Sequence, residues 1–182
     1  MEENRGSFLK EVFQFAIIAL VIVFPIRLFI AQPFIVSGAS MDPTFDTGEY
    51  LIIDELSYRF DTPLRGDVVV FRYPLDPSKF FIKRVIGLPG ETVLIQNGKV
   101  EVVATDGTSR ILSEPYVINK GNGNDMTITL SATDYFVMGD NRPESSDSRS
   151  WGPLPSENIT GRAFLRLLPV TDVSFLPGHY AE

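Results

Sequence analysis

The sequence predicts an all-β domain carried on one N-terminal apolar helix. Three features carry that expectation. Short β-branched and aromatic runs alternate with turn residues, a single long apolar run precedes them, and Asn97-Gly98 separates two of the short runs. The 182 residues are enough for one domain with a full core and a modest anchor or tail. With 44% hydrophobic and 21% charged residues, 13 prolines and 14 glycines, the chain reads as globular and loop-rich rather than disordered.

Residues 1–11 form a short polar flank. Residues 12–30 then run from Val12 to Ile30, interrupted only by Gln14, Pro25 and Arg27. At about 1.5 Å per residue such a helix just crosses a hydrocarbon core of about 30 Å. Arg27 sits late enough to snorkel toward the far interface. The run shows no polar face to turn to water, which argues against a core helix. Phe29-Ile30-Ala31 places a phenylalanine where a cleaved leader needs a small residue. An uncleaved membrane anchor is therefore expected, with lipid as its partner. Arg5 and Lys10 before the run, against Arg27 after it, lean slightly toward a cytoplasmic N-terminus. No second span is expected, because Ala163 to Pro177 is interrupted by Arg166, Pro169 and Asp172.

From residue 31 to 182 the pattern is that of strands. Phe34-Ile35-Val36, Tyr50 to Ile53, Val68 to Phe71, Phe80 to Ile86, Val93 to Ile95, Val100 to Val103, Thr127 to Leu130 and Tyr135 to Met138 are the candidates. Asn97-Gly98 is the strongest hairpin signal, and Leu88-Pro89-Gly90 and Asp106-Gly107 mark further turns. There is no internal repeat.

Composition excludes several chemistries. A net charge of -7 with no basic cluster argues against nucleic acid as a partner. The absence of cysteine removes disulfides, thiol nucleophiles and thiolate zinc sites, and leaves the redox compartment open. The only histidine, His179, lies near the C-terminus, where chain ends fray, and reads as a solvated tail residue. A Ser-His-Asp triad or a multi-histidine metal site is thereby set aside, and no metal or cofactor is expected. A hydrolase built on this chain needs another base.

Three segments could carry chemistry. Ser37-Gly38-Ala39-Ser40-Met41-Asp42-Pro43-Thr44-Phe45 follows a strand, with Gly38 permitting close backbone approach and Pro43 stiffening the exit. Ser40 could be a nucleophile there or an ordinary turn hydroxyl. In Phe80-Phe81-Ile82-Lys83-Arg84-Val85-Ile86, strand alternation puts Lys83 with Phe81 and Val85, and Arg84 with Ile82 and Ile86. Of the five lysines, only Lys83 has an apolar setting; Lys10, Lys79, Lys99 and Lys120 lie at flanks or turns. Burial lowers a lysine pKa, and a drop of about three units from about 10.4 costs roughly 4 kcal/mol. An edge-strand lysine that blocks sheet aggregation is the competing explanation. The third segment, Gly139 to Gly152, packs Asp140, Arg142, Glu144, Asp147 and Arg149 into one loop, which suggests internal ion pairs. Its spacing does not match a calcium loop.

Taken together and in order, these segments resemble the type I signal peptidase family. The matching stretches are Ser40-Met41-Asp42-Pro43-Thr44, Arg65-Gly66-Asp67 through Phe71, Ile82-Lys83-Arg84 through Gly90, and Gly139-Asp140-Asn141-Arg142 through Gly152. The resemblance implies a folded antiparallel β-sheet domain on one transmembrane helix. It implies that Ser40 is the nucleophile, Lys83 the general base, and Ser145 the hydroxyl that orients the lysine amine. Asp147 with Arg149, and Arg84 with Asp140, would be ion pairs behind the site. The Ser40 backbone N–H would form the oxyanion hole. Some members add a hydroxyl two residues earlier, where this chain has Gly38, so the backbone acts alone unless Ser37 helps. The short segment between Lys83 and Gly139 implies that the large inserted subdomain of some members is missing. Val36, Met41, Phe45 and Ile82 are candidates for lining pockets that accept small side chains. The implied partners are preproteins with signal peptides. The implied location is a plasma or thylakoid membrane, with the catalytic domain on the extracytoplasmic side. A self-cleaving repressor also uses Ser–Lys but carries a DNA-binding helical module, and this N-terminus is apolar. A tethered, non-catalytic binding domain is the remaining alternative. The sequence does not define an oligomeric state.

Overall fold

The computed structural model describes residues 3–18, 20–21, 31–121 and 125–180. Helix α1 spans Glu3–Ile18. It begins ahead of the apolar run because Glu, Arg, Leu and Lys are themselves good helix formers. The first part of the expected anchor lies in this helix, while residues 19 and 22–30 lie outside the described residues. Among the described residues no helix is long and apolar enough to cross a membrane.

The rest of the chain is mainly antiparallel β-structure. In chain order the strands are β1 (Ala31–Ile35), β2 (Tyr50–Asp54), β3 (Val68–Tyr73), β4 (Asp76–Gly87), β5 (Thr92–Gln96), β6 (Lys99–Val103), β7 (Ser109–Ile111), β8 (Met126–Thr129), β9 (Asp134–Met138), β10 (Leu154–Pro155), β11 (Ile159–Leu168) and β12 (Ser174–Phe175). A one-turn helix, α2, spans Ser148–Trp151. The larger sheet runs β1-β2-β11-β3-β4-β9-β10, with β12 on β11, and the smaller runs β7-β6-β5-β8.

All eight expected strands form, with shifted ends. The β5–β6 hairpin turns at Asn97 and Gly98, whose φ values of 50° and 71° match the type I′ turn this dipeptide favours. Strand β11 was not expected from the sequence, yet it lies between β2 and β3. Its register slips twice against β2, between Ala163 and Leu165 and between Arg166 and Leu168. Such bulges break the period-two pattern that marks a strand, and Gly161 and Arg166 blur it further.

Strands β3 and β9, and β4 from Lys83 to Gly87, are buried on both faces, which explains the apolar runs of β3 and β9. Val68 and Val70 join Leu51, Ile53, Met41 and Phe45 in one core. From the opposite face Val69 and Phe71 pack with Val85, Val137 and Leu154. The small sheet closes a third core, in which Val93, Ile95, Val100 and Val102 meet Ile86, Phe136 and Met138. Lys83 pairs with Val69 of β3, lies one residue before β4 begins to pair with β9, and is only 4% exposed, so its amine is not displayed at the sheet margin. That removes the aggregation-blocking explanation for it.

The tail also departs from expectation. His179 is docked rather than free: its Nδ1 lies 3.0 Å from Asp67 Oδ1. Gly178 O accepts from Arg84 Nη1, and the Tyr180 ring packs 5.6 Å from that of Tyr116. These anchors tie the last described residues to the body, so fraying is suppressed.

Candidate active site

The nucleophile candidate sits just beyond β1. Val36 N donates to Glu49 O and Gly48 N to Val36 O, which extends the β1–β2 pairing toward the serine. The chain then turns through Gly38 at φ +100°, a conformation that glycine adopts without strain. After Ser40 it coils so that Thr44 N and Phe45 N both donate to Met41 O. Met41 and Phe45 are 1% and 0% exposed. They pin the loop from below.

Lys83 reaches this loop from β4. Its Nζ lies 2.7 Å from Ser40 Oγ and donates to Ile82 O at 2.8 Å. The Phe81 ring centroid is 5.4 Å from the same nitrogen. Burial pushes the Lys83 pKa down to about 8, and the charges of Asp147 and Asp140 pull the other way. Desolvation wins because neither carboxylate bonds the amine: both are committed to arginines.

Those arginine pairs form the back of the site. Arg84 binds Asp140 through two bonds, Nε to Oδ1 at 2.8 Å and Nη2 to Oδ2 at 2.6 Å. The same guanidinium donates to Gly66 O and stacks 3.9 Å from the Tyr116 ring. Thr44 Oγ1 donates to Asp140 Oδ2 at 2.5 Å, linking the pair to the serine loop. Asp147 binds Arg149 through Oδ1 at 2.8 Å and Oδ2 at 2.7 Å, and Oδ2 also accepts from Gly139 N. A third pair, Arg142 with buried Glu114, was not expected, because nothing local in the sequence joins residues so far apart.

Ser145 Oγ is buried without a hydrogen-bond partner. A methyl group on Gly139 would overlap both that oxygen and the Ser40 carbonyl, so the two serines meet across this glycine. Ser40 O accepts from Asn141 N at 3.1 Å, and Ala39 O accepts from Asn141 Nδ2 at 3.0 Å. Asn141 was noted in the sequence only as part of its loop, and Thr47, bonded to Gly38, carried no signal at all.

Ser40 and Lys83 line a cleft of ≈ 500 Å³ whose apolar walls include Val36, Leu51, Val70, Phe80 and Ile82. Of the four expected pocket residues, Val36 and Ile82 line it. Met41 and Phe45 do not; they belong to the core beside it. Among the described residues no cluster of His, Asp or Glu could hold a metal ion.

A serine hydroxyl against a buried lysine amine in an apolar cleft, on a β scaffold, has the layout of a serine hydrolase. Comparison with known proteins narrows the class. The family described as signal peptidase, peptidase S26, matches residues 9–168. "Probable signal peptidase I-1" of Synechocystis sp. is 39% identical over 172 residues, covering 91% of this chain and 85% of that protein. Signal peptidase I of Leptolyngbya laminosa is 37% identical over 161 residues, covering 84% of this chain and 76% of that protein. A crystal structure of a signal peptidase I from Enterococcus faecalis aligns at 34% identity with a TM-score of 0.47, covering 56% of this chain and 97% of that one. The chain belongs to the type I signal peptidase family and is a serine peptidase of the S26 group.

Proposed function

We propose that this chain is a membrane-anchored endopeptidase that removes N-terminal signal peptides from preproteins through an acyl-enzyme on Ser40. The observation that carries the reading is the 2.7 Å contact between Lys83 Nζ and Ser40 Oγ, with the amine held near a pKa of about 8. A lysine in that range supplies a neutral fraction at working pH, as a general base requires.

The neutral amine has two N–H groups and one lone pair. One N–H is held by Ile82 O, and the lone pair accepts the Ser40 proton as Oγ attacks the scissile carbonyl. The second N–H is free for Ser145 Oγ, the unpaired hydroxyl assigned here to orient the amine. Charge developing on the carbonyl oxygen is met by the Ser40 backbone N–H. The lysine ammonium then protonates the leaving amine, and the restored amine activates the water that releases the acyl group.

Two strand edges flank the cleft. Among the described residues β1 pairs only with β2, and β4 pairs with β9 only from Arg84 onward. An extended peptide can add between them, its backbone bonded to β1 and β4 and its alternate side chains in the cleft. The apolar walls at Val36 and Ile82 favour small, uncharged side chains before the cut. In α1, Phe13 and Phe15 are 67% and 73% exposed, an arrangement suited to lipid rather than water. With residues 12–30 as the anchor, the cleft faces a substrate whose own apolar segment lies in the bilayer.

The test is cleavage of a preprotein by Ser40→Ala and Lys83→Ala. Each should lose on the order of a thousandfold or more in kcat, because nucleophile and base act as a unit. Parent-like cleavage by both variants would leave a tethered binding domain as the better reading.

A further inference from the structure

Three consecutive carbonyls of the serine loop are held, one by Thr47 later in the same β1–β2 connection and two by Asn141 from the loop after β9. Thr47 Oγ1 donates to Gly38 O at 3.1 Å while accepting from Gly38 N at 3.0 Å. Asn141 Nδ2 donates to Ala39 O at 3.0 Å, and Asn141 N donates to Ser40 O at 3.1 Å. A peptide unit is planar and trans, so its C=O and the N–H that follows point in opposite directions. Holding the Ala39 carbonyl therefore aims the Ser40 N–H, which has no acceptor among the described residues. Gly38 supplies no hydroxyl to share the work, and the oxyanion site depends on how well this one donor is aimed.

We infer that Asn141 is a positioning residue of the oxyanion site, its side-chain amide fixing the Ala39–Ser40 peptide plane so that the Ser40 N–H points at the developing oxyanion. The inference rests on Ser40 being the nucleophile, as proposed above. Asp42 N also donates to Ala39 O, at 3.3 Å, but it belongs to the same turn and moves with it. Asn141 reaches in from the loop after β9 and ties the plane to the frame that carries Ser145. A donor aimed in advance acts on the transition state and leaves ground-state binding unchanged. The amide is partly solvated, so the bond contributes about tenfold in rate rather than the larger factor of a dry site.

The experiment uses full-length Asn141→Ala and Asn141→Leu, the second keeping the bulk of the side chain without its N–H donor. Both should fold, because the Asn141 backbone bond to Ser40 O remains. We expect kcat to fall about tenfold in each, with KM within about threefold of the parent. The pKa read from kcat/KM against pH should stay where Lys83 sets it. Parent-like kcat in either folded variant, a loss that appears in KM instead, or a displaced pH profile overturns the inference. Ser40→Ala measured alongside separates the two levels. If it still cuts, the nucleophile assignment fails and takes this inference with it; if it is dead while the Asn141 variants match the parent, only this inference fails.

Discussion

Lys83 is the residue at which burial becomes chemistry. Its pKa of about 8 lies below the ordinary 10.5, so the folded protein releases a proton that the unfolded chain still binds between those values. The penalty is complete below about pH 8, is relieved as pH rises, and disappears near the unfolded pKa. It amounts to about 3 kcal/mol at neutral pH. Two outcomes are expected from this sign. kcat/KM should rise with pH and level off above about 8, as measured on a peptide substrate across pH 6 to 10. Lys83→Met should abolish cleavage yet raise unfolding stability at pH 7 by about 1–3 kcal/mol, with the gain shrinking toward pH 10 in urea melts. A Met variant less stable than the parent at pH 7 would show that the amine is not the strained group. Ser145 is subtler. Its hydroxyl has no partner to lose, so Ser145→Ala should leave stability within about 0.5 kcal/mol while lowering kcat.

At the scale of elements, the site is a junction of β1, β4 and the loop after β9, held by paired charges. Arg84 and Asp140 are each about 1% exposed and bonded through two contacts. Removing one partner strands a buried charge, so Asp140→Ala should cost about 3–5 kcal/mol, read as a lower denaturation midpoint. Gly139 permits the closest approach in the site. Gly139→Ala should push apart Ser145 and the Ser40 carbonyl and lower kcat sharply, with a smaller effect on the melting temperature. The strands feeding this junction were legible because β3 and β9 are apolar runs and β4 carries apolar residues on either side of Lys83 and Arg84. β11 was not, since its two register slips destroy alternation even though it pairs with three neighbours. The pairing of Arg142 with Glu114 was equally invisible, because only the folded sheet brings them together.

For the whole molecule, the β-structured body carries the cleft and the N-terminal segment carries the proposed attachment to membrane. Deleting residues 1–30 should release the protein from vesicles of mixed phospholipid while leaving cleavage of a short soluble peptide near the parent rate. Flotation with vesicles and a peptide assay measure the two properties separately, and continued tight flotation would move the attachment to the β body. The docked tail belongs to this scale as well. His179 pairs with Asp67 rather than with Ser40 or Lys83, so His179→Ala should keep kcat within about threefold of the parent.

By itself the sequence determined the all-β character of the body, the hairpin at Asn97-Gly98, and the exclusion of histidine and cysteine chemistry. Those follow from local pattern and from residue counts, which need no long-range information. Lys83 stood out as the one lysine in an apolar run, but the roles of Ser40 and Lys83 rest on the resemblance of the ordered motifs to the type I signal peptidase family. Only the tertiary structure decided that Lys83 is buried, that its amine meets Ser40, and that Met41 and Phe45 support the loop instead of lining the cleft. It alone showed Asn141 and Thr47 holding the serine loop. These depend on sheet order and register, which bring together residues far apart in the chain and have no signature in any one segment.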